Sequence, residues 1–203
     1  MYAQVKSNPW NDYYARRARE EQYPARSVYK LEEIQKRFGV LKKGSRILDL
    51  GCCPGSWLLF ASKIVGDSGL VLGVDISPLP IRLPPNARFI QQDVLAWDES
   101  FLEAIGANFQ TVLSDMAPST TGSKFVDSQR SLQLSESALA ISTRALRPGG
   151  AFVCKIFHGF DLKRFSDRLR KSFTRVSHFK PKSSRKPSKE VYIVGRGKKA
   201  EKI

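Results

Sequence analysis

Cysteine and histidine are scarce in this 203-residue chain, which has three and two of them and no CxxC pair. A zinc site is therefore not expected, and no other metal centre suggests itself. Cys52 and Cys53 are neighbours and Cys154 lies far from both. That pattern excludes a secreted disulfide framework and fits a reduced, intracellular chain. Long apolar runs are missing too. Stretches such as Gly69 to Val74 are far shorter than the roughly 20 residues needed to cross a bilayer. The start, MYAQVKSNPWNDYY, contains no apolar signal core. No internal repeat, low-complexity block or Gly/Ser linker divides the chain. One soluble cytoplasmic domain is the expectation, and a 41% hydrophobic fraction is enough for its core.

Acidic residues are also in short supply: 19 Asp and Glu face 34 Lys and Arg, leaving a formal net charge of +15. The excess is uneven. Residues 1–48 carry +6, residues 49–160 carry −2 and residues 161–203 carry +11. One lysine run alone would read as a solvated face. Two basic ends, interleaved with Tyr13, Tyr14, Tyr23 and Tyr29 and with Phe173, His178 and Phe179, point instead to phosphate neutralisation beside stackable rings, the requirement of RNA binding. A membrane surface fits less well, because no segment joins a basic face to a broad apolar one.

Helical spacing of Val28, Leu31, Ile34 and Phe38 predicts a helix over 27–38, stopped at Gly39. Strands are predicted at 46–50, 70–75, 87–91, 111–115, 151–157, 175–179 and 191–194. Helices are predicted at 56–65, 99–105, 128–146 and 162–172. Such alternation implies a parallel sheet covered on both faces, a Rossmann-like α/β fold. No helix separates the last two strands, so the final strand should return antiparallel. A basic N-terminal arm (1–26), a core (27–198) and a tail (199–203) complete the expected organisation.

The segment Asp49-Leu50-Gly51-Cys52-Cys53-Pro54-Gly55-Ser56-Trp57 joins the first strand to its helix. Its glycines allow close backbone approach to a ligand, and the helix start offers free N–H donors. The spacing is not GxGxxG, which disfavours a dinucleotide. Asp75 closes the second strand, where a carboxylate can accept both hydroxyls of a ribose. Asp93, beyond the third strand, can accept from an adenine amino group. Each alone reads equally well as a loop cap; three carboxylates at successive strand ends, Asp49, Asp75 and Asp93, read as a ligand site.

DLGCCPGSW, VDISP, QQDV and above all SDMAPSTTG resemble the RrmJ/FtsJ family of RNA ribose 2′-O-methyltransferases over about residues 27–198. The resemblance implies S-adenosylmethionine as cofactor on a mostly parallel seven-stranded sheet, with contacts at Gly55, Trp57, Asp75, Asp93 and Asp115. Cys52-Cys53 stands where the family often has alanines, so sensitivity to thiol reagents is expected. The resemblance also implies a catalytic tetrad of Lys30, Asp115, Lys155 and Glu190. The residues themselves support part of this: Lys155 interrupts the apolar run Ala151 to Phe157, and a lysine inside a buried strand is costly unless paired or functional. Lys155 would be base or oxyanion stabiliser, Lys30 the neighbouring cation, Asp115 the orienting group, and Glu190 the holder of Lys30 or of the ribose. The compact length resembles bacterial members acting, as monomers, on a uridine of 23S rRNA in the large ribosomal subunit. A tRNA ribose methyltransferase and a non-catalytic RNA-binding assembly factor are the alternatives.

Overall fold

The computed structural model describes residues 9–119, 121–159, 161–185 and 187–200. Within them the chain runs α1 (Pro9–Glu20), α2 (Val28–Phe38), β1 (Arg46–Leu50), α3 (Ser56–Val65), β2 (Leu70–Asp75), β3 (Ala87–Gln91), α4 (Glu99–Ile105), β4 (Phe109–Ser114), α5 (Lys124–Ala145), β5 (Leu146–Phe157), α6 (Asp161–Ser172), β6 (Phe173–Phe179) and β7 (Glu190–Lys198). The seven strands form one sheet in the order β3-β2-β1-β4-β5-β7-β6. All pairings are parallel except those of β7, which runs antiparallel to both β5 and β6. A seven-stranded Rossmann-like sheet with an antiparallel last strand is therefore the observed architecture.

Each face carries its own core. Side chains of α4, α5 and α6, including Phe101, Leu139 and Phe165, pack on Leu48, Val112 and Phe152. On the opposite face, Leu31 and Ile34 of α2 and Leu58 and Ala61 of α3 pack on Ile47, Leu113 and Val153. Alternate strand residues feed alternate cores, as a pleated strand requires. Two buried serines of α5 clip the helix to β5. Ser131 accepts from the Phe157 N–H, and Ser135 donates to the Lys155 carbonyl at 3.1 Å.

Several elements outrun their predicted bounds. β7 spans Glu190–Lys198 and β6 begins at Phe173, because β7 has a partner on each side and pairing extends past its apolar stretch. β5 begins at Leu146, pairing with Phe109 before a register shift at Phe109/Thr111, so Arg147-Pro148-Gly149-Gly150 ends the helix without delaying the strand. α5 starts at Lys124 with Ser123 as its N-cap. The expected basic arm contains helix α1, whose Tyr14 and Ala18 pack with Tyr23, Val28, Tyr29 and Phe60. Residues 1–8 and 201–203, and with them most of the predicted tail, lie outside the described residues.

Candidate active site

Strand register assembles the charged residues on the α2/α3 face. Leu113 of β4 registers with Val153 of β5, so two residues further along Asp115 comes level with Lys155. Across the antiparallel pairing, Lys155 registers with Tyr192 and Phe157 with Glu190. The period of two then puts Asp115, Lys155, Tyr192 and Glu190 on one side of the sheet. α2 crosses this face and contributes Lys30.

The four residues meet as two ion pairs. Lys155 Nζ lies 3.1 Å from Asp115 Oδ1, with side-chain exposures of 5% and 16%; it also donates to the Asp115 carbonyl. Lys30 Nζ lies 2.7 Å from Glu190 Oε2. Tyr192 joins them: its hydroxyl donates to Asp115 Oδ1 at 2.5 Å, and its ring centroid is 5.9 Å from Lys30 Nζ. Burial, reinforced by the charge of Asp115, pushes the Tyr192 phenol well above its ordinary pKa. It therefore stays a neutral donor that fixes the carboxylate's orientation.

Around the β1–α3 loop the carboxylates behave differently. Asp75 accepts from the Cys53 N–H at 2.8 Å through one oxygen and from the Ser77 N–H at 2.8 Å through the other. It thereby ties the loop to the end of β2 and keeps further lone pairs available. Asp93 accepts from the Leu95 N–H at 2.8 Å. Gly51 and Gly55 take φ of +74° and +106°, left-handed values that a side chain would strain. The Trp57 side chain is buried: its indole donates to the Ser27 carbonyl at 2.8 Å and packs against Tyr192 at 5.8 Å. What Trp57 offers a ligand is its backbone N–H in the first turn of α3.

Asp49 has no such partners. It is fully buried, and neither carboxylate oxygen has a hydrogen-bond partner among the described residues. Burial, with smaller contributions from Asp115 and Asp75, pushes its carboxyl well above the ordinary carboxylate range. An orphaned acid between two other acids at the carboxyl end of β1 is the environment a cation would relieve.

The FtsJ-like methyltransferase family profile matches residues 23–198. Two bacterial proteins named ribosomal RNA large subunit methyltransferase E are similar along nearly their whole length. That of Desulforapulum autotrophicum is 51% identical over 96% of this chain and 96% of its own. That of Desulfatibacillum aliphaticivorans is 53% identical over 95% of this chain and 93% of its own. A solved structure of a candidate ribosomal RNA methyltransferase from Plasmodium falciparum superposes with a TM-score of 0.77 at 27% identity, covering 88% of this chain and 100% of that one. This chain belongs to the FtsJ-like methyltransferases.

FtsJ-like methyltransferases use S-adenosylmethionine, a molecule with a sulfonium and an ammonium charge. The donor set here fits it. The N–H groups of the Gly51–Gly55 turn are already bonded within the protein, so the start of α3 would supply the backbone donors. Asp75 and Asp93 would supply acceptors at successive strand ends, and a cation of the cofactor near Asp49 would favour the charged form of that buried acid. Sequence reasoning counts Asp49 among the strand-end carboxylates but assigns it no contact, and it leaves Tyr192 out of the site. A signal existed for each: Asp49 is an acid between Ile47-Leu48 and Leu50, and Tyr192 shares the period of Glu190. The expected thiol sensitivity finds no support. Cys52 is buried under Gly73, Cys53 is half-buried, and burial raises both thiols, which suppresses the reactive thiolate. No cluster of metal-binding side chains occurs among the described residues, and no described helix is long and apolar enough to cross a membrane.

Proposed function

We propose that this methyltransferase modifies the ribose 2′-hydroxyl of a uridine in the RNA of the large ribosomal subunit, acting as a monomer in the cytoplasm. The observation that carries the proposal is the double ion pair beside the cofactor loop, Lys155–Asp115 and Lys30–Glu190, bridged by Tyr192. The names of the relatives support the large-subunit substrate, and the basic ends support RNA. Three free cysteines suit a reducing compartment.

When bound, S-adenosylmethionine supplies a methyl group made electrophilic by the adjacent sulfonium. The residues of this chain address the other reactant. A ribose hydroxyl is a weak nucleophile, so its proton must leave or its developing charge must be balanced. Lys155 is the group for that task, held by the Asp115 side chain and carbonyl at a fixed position in a rigid strand. Tyr192 fixes Asp115 from the other side. Lys30, pinned by Glu190, adds positive charge at the mouth of the site and leaves a carboxylate oxygen of Glu190 free to orient the sugar.

Incubation with S-[methyl-³H]adenosylmethionine tests the proposal directly. Label should enter large ribosomal subunits lacking the modification, and the labelled linkage should resist alkaline hydrolysis, because methylation removes the 2′-hydroxyl that alkali requires. Label in tRNA instead would transfer the activity to that substrate, and no label in any RNA would leave only a binding protein.

A further inference from the structure

Two clefts open beside Glu190, and they differ in chemistry. The smaller, of 420 Å³, is lined by Arg26, Lys30, Ser183, Arg185, Ser188 and Glu190 among others. The larger, of 790 Å³, includes Phe125, Phe157, His158, Ser188, Lys189 and Glu190. Pro187, Ser188 and Glu190 belong to both. One short segment therefore forms a ridge between a basic cleft and an aromatic one, and the Lys30–Glu190 pair stands at its end.

The ridge is well anchored. The Glu33 carboxylate accepts from the Lys182 and Ser183 N–H groups at 2.7 and 2.8 Å. Arg26 donates to the Ser183 carbonyl at 2.6 Å, Lys180 to the Ser188 carbonyl at 2.9 Å, and the His158 N–H to the Lys189 carbonyl at 2.7 Å. Lys186, a basic residue of the same stretch, lies outside the described residues.

In the smaller cleft three cationic side chains face one carboxylate. Two guanidiniums lining one cleft repel; burial and the charge of Arg185 both lower the Arg26 pKa. An anion between them relieves that repulsion, and guanidinium matches a phosphate bidentately. The hydroxyl of Ser183, a residue only 1% exposed on the same cleft, lacks a partner among the described residues. In the larger cleft Phe125 is 74% exposed, a ring left in water beside Phe157 and His158. An unstacked base is the RNA component that covers such rings.

We propose that the acceptor strand crosses the Pro187–Glu190 ridge, its target base entering the Phe125/Phe157/His158 cleft and an adjoining phosphate entering the Arg26/Arg185 cleft. The ribose between them then lies at Glu190 and Lys30, next to Lys155. This path rests on the ribose-methylation proposal and adds to it where the base and the phosphate are held.

Steady-state methylation of unmodified large ribosomal subunits by the full chain, at saturating S-adenosylmethionine and over a range of salt, separates the two halves of the proposal. Arg185 and Phe125 are both exposed, so substitution leaves the core untouched. Arg185→Gln should raise the KM for RNA and flatten the log–log salt dependence by about 0.7, one phosphate contact on a single strand. Phe125→Ala should lower kcat/KM by about five- to 150-fold, the range for loss of a base-stacking ring, with the salt slope of the unmodified enzyme. Phe125→Tyr should retain most of the activity, and cofactor affinity should stay unchanged in all three variants. An unaltered salt slope in Arg185→Gln, or full efficiency in Phe125→Ala, would overturn the strand path while methylation by the unmodified enzyme still stood. Absence of methylation by the unmodified enzyme would overturn the proposed function and the path with it.

Discussion

The two sides of the sheet's carboxyl edge handle buried charge in opposite ways. On the β1–β2–β3 side the acids have no basic partner among the described residues: Asp75 and Asp93 accept from backbone N–H groups, and Asp49 accepts from nothing described. On the β4–β5–β7 side each acid has a lysine, Asp115 with Lys155 and Glu190 with Lys30. Removing charge from water costs several kcal/mol per ion unless a partner compensates. The first side thus leaves room for a cation, as the proposed cofactor site requires, whereas the second is compensated internally, as the proposed role of Lys155 toward a ribose proton requires. Asp115 belongs to both. It touches Lys155 and Tyr192 and raises the pKa of Asp49, so in the proposed mechanism one carboxylate meets both halves of the site.

The largest effect should come from breaking the paired side. Lys155→Ala should lower the single-turnover rate of methyl transfer by about 10²–10⁴-fold, the range for loss of an acid–base group, with cofactor affinity nearly intact. Lys155→Arg distinguishes the two roles of the lysine: a base is not restored by a guanidinium that keeps its proton, whereas a purely electrostatic role is restored in good part. A near-normal rate in Lys155→Ala would reduce Lys155–Asp115 to a structural ion pair.

On the acidic side, Asp75→Ala should weaken S-adenosylmethionine binding by about tenfold or more, since hydrogen bonds to a charged acceptor contribute roughly 1.5–3 kcal/mol. Calorimetry with an unchanged Kd would remove Asp75 from the site. Asp49→Asn sharpens the contrast through stability. The folded-state pKa of Asp49 is raised, so the stability tied to its protonation is complete below the ordinary carboxylate value of about 3.9 and is lost as pH rises through the raised value. Urea midpoints of the cofactor-free protein should therefore fall with rising pH more steeply than those of Asp49→Asn. The variant should also bind S-adenosylmethionine more weakly. Equal pH profiles would show that Asp49 does not carry this cost.

The smallest effect is expected at the bridge. Tyr192→Phe removes one hydrogen bond to Asp115 and leaves Lys155 in place, so the rate should drop only a few-fold, in line with roughly 0.5–1.5 kcal/mol for a single bond. A loss as large as that of Lys155→Ala would make Tyr192 part of the reacting set.

Local chemistry made much of this molecule legible beforehand. The strands 46–50, 70–75 and 87–91 and the helices 56–65 and 99–105 coincide with the observed elements, because apolar periodicity, glycine stops and capping are properties of neighbouring residues. Lys155 was conspicuous for a local reason as well, as a charge inside an apolar strand. Other features depend on contacts between distant segments. The full length of β7 comes from having β5 and β6 on either side, and the helix within residues 9–20 comes from an aromatic cluster shared with α2 and α3. Tyr192 looked like one more core residue until register set it beside Asp115. Asp49 looked like part of a loop motif until burial and the absence of a partner set it apart. Lys30 and Glu190, 160 residues apart, are ordinary surface charges by composition. Only the crossing of α2 over the end of β7 makes them a pair, because side-chain burial and ion pairing are decided by what the rest of the chain lays against a residue.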